Sequence, residues 1–531
     1  MESKQLNEYT SQQQMIQTLA ESLRQRSSGA RVRLVETHIS WVLLVGRYAY
    51  KIKKAINLGF LDYGTLQSRR FYCEEELRLN RRLAPGLYLG VVGVGGESGT
   101  PIFGAVPVIE YAVKMRRFAV SRQFDKLALK HKILDVHVDR LAARLADFHQ
   151  NLISIEANAT YGSAEAIWQD ATQNFAQLQV LLTESVDLSR LKILQKASEK
   201  EFQSCIHLFE QRRRQGFVRE CHGDLHLANI VLIDDQPTPF DAIEFNPALR
   251  WIDVMSDVAF TMMDLMYFHQ APLAYRFINA YVAATGDYAG IAVLRFYLVY
   301  RAMVRAKVHA IRAHQAALVA VDRAEAIARY REYIALAEKF CMPKRVALII
   351  THGLPGSGKT TFSQYALAQL QAIRIRSDVE RKRLSVLRTL NGSTADDAPD
   401  LYRAANTQRT YVHLLALARN LLTAGFAVIV DAAFLQKNER DRFRQLAEEL
   451  SIPFVIASMQ ASNKAMRTRV TERLSVANDA SEADVSVLEK LQGAQQSLTD
   501  DELSKAIIFN SEGAAINDTH PGWSKLIENM G

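Results

Sequence analysis

The sequence predicts two domains of different fold class, an N-terminal α+β domain and a C-terminal α/β domain built on a parallel sheet. The chain has 531 residues, which is more than one hydrophobic core accommodates. In the first part, predicted strands at residues 31–56 are followed by long helical stretches at 118–217 and 254–340. From about residue 346 strands and helices alternate, which is the pattern of a parallel sheet with crossover helices.

The N-terminal domain is expected to span residues 1–342. Residues 31–56 alternate β-branched and aromatic residues with polar ones, which predicts paired strands, and residues 67–83 follow as a helix. The Gly-rich stretch 91–113 indicates a hairpin and a further strand. A strand–loop–strand unit at residues 217–245 separates the two helical stretches.

The domain boundary is predicted near residue 343, which gives a C-terminal domain of residues 343–531. A helical pattern stops before Pro343, because the residue that precedes a proline disfavours the helical conformation. The apolar strand VALIITH begins directly afterwards. The strands IRIRSD, FAVIVDAAF and PFVIASMQ follow, each separated from the next by a helical segment.

Charge and cysteine usage narrow the class of protein. Lys and Arg number 65 and Asp and Glu 57, so the formal charge of +8 is a mild excess that suits phosphorylated anions without requiring nucleic acid. The four cysteines form no C-x-x-C pair, which argues against a zinc site or a disulfide framework. We expect a cytoplasmic protein without a membrane span, because the thiols are predicted to be reduced, the N-terminus is polar and the apolar runs have only the length of strands. The sequence leaves the oligomeric state open.

A Gly-rich loop between a predicted strand and a predicted helix forms the clearest site. Gly353, Gly358, Lys359 and Thr360 fit the spacing G-x-x-x-x-G-K-[ST]. Such a loop turns backbone N–H groups toward phosphates, while the lysine neutralises the β and γ phosphates and the threonine hydroxyl binds Mg²⁺. We therefore expect ATP to be held by Gly353, Gly356, Ser357, Gly358, Lys359, Thr360 and Thr361.

Charged residues at predicted strand ends extend this site. Asp378 ends the strand IRIRSD, where it could accept a proton from a substrate hydroxyl or cap the next helix, and Arg381 follows three residues later. Asp431 ends the strand FAVIVD and could hold Mg²⁺ through water or only form a turn. Arg469 and Arg473 share one helix face and could clamp the transferring phosphate or form a solvated surface.

Residues 346–495 resemble the small P-loop kinases that include gluconate kinase, the zeta toxins and the polynucleotide 5′-kinases. The resemblance is carried by GLPGSGKTT, RSDVERKRL, AGFAVIVDAAFL, RTRVTERL and NDASEADVSVLEKL. It implies that Asp378 positions or deprotonates the acceptor hydroxyl. It also implies that Arg381, Arg469 and Arg473 act on the phosphates, while the acceptor itself is not implied.

The segment HGDLHLANI at residues 222–230 is a second candidate site. Asp224 and Asn229 lie in a loop before an apolar strand, and Asp241 follows. Phosphorylation of a hydroxyl needs one carboxylate to orient the hydroxyl and accept its proton, and an amide and a carboxylate to hold Mg²⁺. The form H-G-D-x-x-x-x-N resembles the aminoglycoside phosphotransferase and choline kinase branch of the protein-kinase-like folds, which implies Asp224 as the base and Asn229 and Asp241 as metal ligands.

The same resemblance implies further residues of this domain. Asp257 matches the residue that braces the loop from the next helix, and His222 has a structural part. His226 could touch phosphate or only pack, and Glu244 is either a further metal ligand or a loop cap. The hinge that would bind adenine is placed at Ile109–Val113.

This kinase branch also requires a strand lysine paired with a helix glutamate. Lys51 and Lys53 lie on one face of a strand, and Lys51 in Tyr-Lys-Ile is favoured over Lys53. Glu76 is favoured over Glu74 and then Glu75, although one sequence leaves the choice open. A Gly-rich loop of the protein-kinase type is missing, as it is in aminoglycoside phosphotransferases.

Taken whole, the chain resembles bacterial two-domain proteins described as bifunctional aminoglycoside phosphotransferase-like and ATP-binding. Supporting stretches are YKIKKAINLGFLDYGTLQSRRFYCEEELRLNRRLAPGLYLGVV, EYAVKMRRF, HGDLHLANI, FDAIEFNPALRWIDVMSDVAF and YRAMVRAKV. That likeness concerns fold ancestry and does not make antibiotics the substrate.

Three functions are compatible with these motifs. The first is a two-site ATP-dependent phosphotransferase that acts on small hydroxylated molecules. The second is a P-loop kinase whose kinase-like domain is regulatory, although the intact Asp224, Asn229 and Asp241 favour the first. The third is a nucleic-acid end kinase, which we consider unlikely because the helix FYLVYRAMVRAKVHAIR is the only basic candidate surface and can equally be a core helix.

Overall fold

The structure is a computed structural model that describes residues 2–26, 32–57, 59, 61–96, 100–156, 159–315, 318–343, 345–390, 404–475, 484–512 and 520–530. The chain divides into two compact units. The first contains residues 1–182, 206–268 and 300–311, and the second contains residues 183–205, 269–299 and 312–531. In the part of the chain that the structure describes, no helix combines the length and the apolar character needed to cross a membrane.

The first unit begins with an antiparallel sheet between two helices. Its elements are α1 (Glu2–Arg26), β1 (Val32–Glu36), β2 (Ser40–Val45), β3 (Tyr48–Lys53), α2 (Leu66–Arg81), β4 (Tyr88–Gly95), β5 (Ile102–Phe103) and β6 (Val108–Arg116). The strands follow the order β1-β2-β3-β6-β4-β5. Because neighbouring residues of a strand face opposite ways, Leu43 packs with Ile16 of α1 while Ala49 and Val113 pack with Cys73 of α2.

Helices and two short strand pairs follow this sheet. They are α3 (Phe124–Ala128), α4 (Asp135–Asn151), α5 (Ala164–Leu181), α6 (Ser185–Arg214), β7 (Val218–Glu220), β8 (Ile230–Ile233), β9 (Gln236–Pro239), β10 (Trp251–Asp253), α7 (Val254–Tyr267), α8 (Ala271–Thr285), α9 (Ile291–Ala313) and α10 (Ala320–Cys341). Strand β8 pairs with β9, and β7 pairs with β10, both antiparallel. The loop between β7 and β8 contains the segment HGDLHLANI.

The second unit contains a five-stranded parallel sheet in the order β12-β13-β11-β14-β15. Its elements are β11 (Leu348–His352), α11 (Lys359–Gln369), β12 (Ile373–Arg376), α12 (Ser377–Leu390), α13 (Ala404–Thr423), β13 (Val428–Asp431), α14 (Lys437–Glu449), β14 (Phe454–Gln460), α15 (Asn463–Ser475), α16 (Val485–Ala494), α17 (Asp500–Lys505), β15 (Ile507–Asn510) and α18 (Gly522–Asn529). All residues of β11 are buried, as expected for a central strand of a parallel sheet. The predicted α/β class of this part of the chain is therefore confirmed.

Helix α8, which precedes the predicted boundary at residue 343, packs within this second unit. The buried Asn279 amide donates to the Ala372 carbonyl at 2.9 Å and accepts from the Arg374 N–H at 2.6 Å. Strand β12 lies at the edge of the sheet, so Asn279 supplies the hydrogen bonds that a further strand would make. The limits 1–342 and 343–531 stay a prediction about domains, and the compact unit of the parallel sheet includes residues before 343.

Candidate active sites

The loop after β7 is held in one conformation by its surroundings. Gly223 has a φ of 86°, and a Cβ at this position would lie 2.6 Å from the Leu249 carbonyl oxygen, so the turn requires glycine. The Asp257 carboxylate accepts the N–H groups of His222 and Gly223, both at 2.9 Å. The loop is therefore braced from α7, as the kinase-like resemblance implies for Asp257.

Asp224 projects from this loop with about a third of its side chain exposed. The Asn229 amide donates to the Asp224 carbonyl at 3.0 Å and to its carboxylate at 2.9 Å, and His226 Nε2 lies 3.4 Å from the carboxylate. Burial raises the pKa of Asp224, but the charges of His226 and Arg305 outweigh burial and hold that pKa below its ordinary value. Asp224 is therefore a carboxylate at neutral pH, oriented by Asn229.

The basic helix considered for nucleic acid is α9. Arg301 is 5% exposed, and its guanidinium donates to the Gly223 carbonyl at 3.1 Å and to the Ser256 carbonyl at 3.2 Å. The same group lies over the Phe260 ring. Arg301 thus braces the loop from inside the unit, which favours the interpretation of α9 as a core helix.

Two lysines of β3 share one glutamate of α2. Lys51 Nζ lies 2.9 Å from Glu76 Oε1 and 2.5 Å from Asp241 Oδ1. Lys53 Nζ lies 2.7 Å from Glu76 Oε2 and also contacts Glu244. Lys53 is fully buried, whereas Lys51 is 13% exposed and faces Asp241. Glu244 is buried against Lys53, which favours the structural alternative over a metal ligand.

The mutual charges keep Lys51 and Glu76 ionised at neutral pH. Burial lowers the pKa of Lys51, but the charges of Asp241 and Glu76 outweigh burial and hold that pKa above its ordinary value. Burial raises the pKa of Glu76, yet Lys51 and Lys53 bring it down to about 2. The other two candidate glutamates, Glu74 and Glu75, form ion pairs with arginines within α2.

A cavity of about 830 Å³ lies beside Lys51 and Asp241. Val42, Leu44 and Ala49 line it from the sheet, and residues 115–120 line it from the end of β6 and the segment that follows. This combination of an apolar wall with a few charged groups is typical of a nucleotide-sized site.

The predicted hinge at Ile109–Val113 is wrong. This segment lies inside β6, and its residues from Glu110 to Val113 pair with β4, while Ala112 and Val113 also pair with β3 on the other side. The strand continues to Arg116, so the backbone of the predicted segment is used within the sheet. The segment at residues 117–120, which follows the strand, lines the cavity instead.

In the second unit the Gly-rich loop joins β11 to α11. Gly353 has a φ of 143°, and Gly356 has a φ of 79° with a Cβ that would lie 2.7 Å from the Met466 carbonyl oxygen. Both positions therefore exclude a side chain. Gly358 precedes α11, and Thr360 and Thr361 lie in its first turn.

Two polar groups face the inside of this loop. The Lys359 amine donates to the Leu354 carbonyl at 2.8 Å, across the loop. Ser357 Oγ is buried and has no hydrogen-bond partner among the residues that the structure describes. A buried hydroxyl without a partner in a glycine cradle suits an added acceptor such as a phosphate oxygen.

A cavity of about 480 Å³ brings several predicted residues of this site together. It is lined by Lys359, Thr360, Asp378, Arg381 and Asp431. Residues that the sequence analysis did not single out also line it, namely Arg376, Gln408, Tyr411, Glu439, Arg442 and Lys490. The carboxyl ends of β12 and β13 therefore meet at one cavity, as expected for a parallel sheet.

The two aspartates at the strand ends differ in their partners. Asp378 lies in the first turn of α12, with its carboxylate 3.8 Å from Arg381 Nη1. Asp431 ends β13, is buried and accepts a hydrogen bond from the Ser363 hydroxyl at 2.8 Å. Asp378 is thus the more accessible of the two to a substrate.

Arg469 contacts the Gly-rich loop and Ser511. Its guanidinium donates to the Gly356 carbonyl at 3.0 Å, and to the hydroxyl and carbonyl of Ser511 at 2.8 Å each. Arg469 is not among the residues that line the cavity. Arg473 belongs to the part of α15 whose side chains lie outside the described residues, so the phosphate-clamp role of both arginines stays a prediction.

Glu439 is the carboxylate that sequence reasoning missed. It lies in the first turn of α14, directly after the loop that follows Asp431. Burial raises the pKa of Glu439 to about 7, although a hydrogen bond from Tyr411 lowers it in part. The strand-end argument that identified Asp378 and Asp431 would have found it if extended into the next helix.

Comparisons with known proteins give one family model and one set of relatives. Residues 348–498 match a family model described as an AAA domain. The chain is 30% identical over 445 residues to "Uncharacterized protein Rv2004c" of Mycobacterium tuberculosis, covering 84% of this chain and 87% of that protein.

Two solved structures are similar at low identity. The amicoumacin kinase hAmiN is 15% identical, with 59% of this chain and 90% of that chain covered and a TM-score of 0.38. Kti12 of Chaetomium thermophilum is 20% identical, with 35% and 99% covered and a TM-score of 0.27.

Proposed function

The chain belongs to the family that includes the Mycobacterium tuberculosis protein Rv2004c, and on this premise we propose that it is an ATP-dependent phosphotransferase with two kinase-type sites. One site lies in each compact unit. Each would transfer the γ-phosphoryl group of ATP to a hydroxyl of a small molecule in the cytoplasm. The identities of the acceptors are left open.

The observation that carries the proposal is the position of Lys51, whose amine contacts both Glu76 and Asp241. A lysine paired with a helix glutamate, beside a metal-binding aspartate, is the arrangement that binds and orients ATP in kinases. Asp224 and Asn229 belong to the same unit and supply the acceptor side. Together these residues contain each group that the transfer needs.

The donor groups of both sites suit Mg²⁺. Asn229 uses its amide nitrogen on Asp224, so its amide oxygen is left to act as a ligand beside the Asp241 carboxylate. In the P-loop unit Thr360 would hold the ion directly and Asp431 would hold it through water. Oxygen donors of this kind are the ligands Mg²⁺ prefers, and the bound ion would neutralise the phosphate oxygens.

The chain's own residues then have separate tasks. Lys51 and Lys359 would bind the phosphates in their respective units. Asp224 would accept the proton of the acceptor hydroxyl in the first unit, and Asp378 would orient the acceptor in the second. The described contacts of Gly356 and Ser357 support a phosphate cradle in the second unit.

Equilibrium binding of a non-hydrolysable ATP analogue to the full-length chain, with and without Mg²⁺, tests the two-site proposal. The wild type should bind two equivalents. Lys359→Ala and Asp241→Ala should each remove one site, and the double variant should bind little. Lys437→Ala, which changes an exposed lysine of α14, is the matched control and should retain both sites.

The possible outcomes separate the functional alternatives. Binding of a single equivalent that Lys359→Ala abolishes would reject ATP use by the first unit and favour a regulatory role for it. Binding of two equivalents followed by phosphorylation of an oligonucleotide end, but of no small molecule in a metabolite screen, would favour the nucleic-acid kinase. Absence of binding would reject the proposal as a whole.

A further inference from the structure

Glu439 is a carboxylate in the P-loop cavity that the proposed function has not used. It lines the same cavity as Lys359 and Asp378. Asp378 lies near Arg381, and Asp431 accepts from Ser363, whereas Glu439 forms no ion pair with any residue that the structure describes. Among the described residues, no cation therefore holds the Glu439 carboxylate in an ion pair.

Tyr411 and the backbone of Gln436 lower the pKa of this carboxylate through hydrogen bonding. The Tyr411 hydroxyl itself accepts the Phe434 N–H at 3.0 Å. The Tyr411 ring packs against the Phe434 ring with centroids 5.1 Å apart, which fixes the tyrosine. A carboxylate has several acceptor sites, so Glu439 keeps acceptor capacity for a ligand.

The start of α14 is anchored by the next residue. Arg440 is 1% exposed, and its guanidinium donates to both carboxylate oxygens of Glu502 at 2.7 and 2.9 Å. It also donates to the Phe434 carbonyl at 3.1 Å. A side chain on an anchored helical turn is held in place before substrate arrives, which is what a catalytic group requires.

The surroundings of Glu439 adjust its acidity to the neutral range. Burial raises its pKa to about 7, and the lowering contributions come from Tyr411 of α13, the backbone of Gln436, Arg440 of α14 and Arg381 of α12. A carboxylate whose pKa lies near the working pH is an effective general base, because it is unprotonated often enough and still accepts a proton readily.

We propose that Glu439 is the catalytic base of the P-loop site and that Asp378 positions the acceptor. This inference rests on the proposed phosphotransferase function. The Glu439 carboxylate takes the proton of the acceptor hydroxyl, and the hydroxyl oxygen forms a bond to the γ-phosphorus of ATP. The bond between that phosphorus and the β–γ bridging oxygen breaks, and ADP leaves with the electron pair.

The test uses water as the acceptor, so that no natural substrate is needed. Full-length protein in excess over radiolabelled MgATP is assayed for phosphate release between about pH 5.5 and 8.5, in an Asp224→Asn background that silences the first unit. The parent rate should rise with a midpoint near pH 7. Glu439→Gln should lower the plateau about 100-fold and remove this dependence.

Three further variants make the result specific. Glu448→Gln changes an exposed glutamate of the same helix and should match the parent. Asp378→Asn should lower the rate but keep the midpoint. Tyr411→Phe should move the midpoint to higher pH, because it removes a hydrogen bond that lowers the pKa of Glu439.

An unchanged midpoint in Glu439→Gln would overturn the inference. So would a parent that binds ATP through Lys359 but releases phosphate no faster than Glu439→Gln at any pH. If the parent fails to bind the ATP analogue at all, the proposed function itself fails. The binding measurement therefore distinguishes the two failures.

Discussion

Replacing Lys51 or Lys53 by Met should separate a nucleotide-binding lysine from a structural one. Both lie on the same face of β3 and both contact Glu76. Their second partners differ, since Lys51 contacts Asp241, which is 42% exposed, and Lys53 contacts Glu244, which is 4% exposed. Met keeps most of the side-chain length and removes only the charge.

The two changes should cost different amounts of stability. Lys53→Met leaves Glu76 and Glu244 as buried carboxylates with one cation fewer, and removal of one partner from a buried ion pair costs about 3–5 kcal/mol. Lys51→Met leaves Glu76 paired with Lys53 and leaves Asp241 open to water. Its cost should be near that of one ordinary hydrogen bond, about 1 kcal/mol.

Two measurements on full-length protein check this difference. Scanning calorimetry should show a drop of roughly 10 °C in the transition of the first unit for Lys53→Met and a much smaller shift for Lys51→Met. Binding of an ATP analogue is measured in a Lys359→Ala background, so that only the first unit contributes. Lys51→Met should abolish this binding at a temperature where both variants are folded.

The reverse pattern would refute the reasoning. If Lys53→Met folds normally and loses the nucleotide, then Lys53 is the phosphate-binding lysine and the contact between Lys51 and Asp241 has no functional meaning. Equal destabilisation by both changes would show that the difference in burial between Lys51 and Lys53 does not determine how much each stabilises the fold. Lys54→Met, which alters the lysine that directly follows β3 and pairs with the exposed Glu36, controls for loss of a lysine charge at this end of the strand.

Two further predictions concern the second unit. Because burial raises the pKa of Glu439 from 4.5 to about 7, its ionisation should cost stability as the pH rises through that window. Glu439→Gln should therefore stabilise the protein by about 3 kcal/mol near pH 8 and by little near pH 4.5. Calorimetry at both pH values checks this, and equal gains at the two would contradict it. Asn279→Ala should destabilise the same unit by about 2–4 kcal/mol in urea unfolding, because the Ala372 carbonyl and the Arg374 N–H lose their partner. Asn420→Ala, which changes an exposed asparagine, should have no effect. Equal urea midpoints for the two variants would contradict this account of the sheet edge.

Local motifs allowed much of the two sites to be predicted. Gly353–Thr360 needs only its own backbone and the helix that follows it, so eight consecutive residues carry the signal. The segment from Asp224 to Asn229 is similarly short, and the structure joins those two side chains by a hydrogen bond of 2.9 Å. Strand–helix alternation after residue 346 was enough to predict the parallel sheet.

Choices between near neighbours could not be made from sequence. Lys51 and Lys53 are two residues apart on one strand face, so periodicity treats them alike. Only the packing of α2 and the segment near Asp241 shows that Lys53 is enclosed and that Lys51 faces the cavity. The wrong hinge has the same origin, because the apolar pattern of β6 contains no local signal for its end at Arg116.

Consecutive residues encode the features that could be predicted from the sequence, namely the phosphate loop, the Asp224 loop and the fold class of each part. The tertiary structure alone decided the features that depend on contacts between distant segments. Gln12 of the polar α1 reaches the Lys53 carbonyl at 2.9 Å, and Asn279 completes the edge of β12 from almost 100 residues away. Glu439 becomes a candidate base for the same reason, since burial raises its pKa and burial is a property of the folded chain.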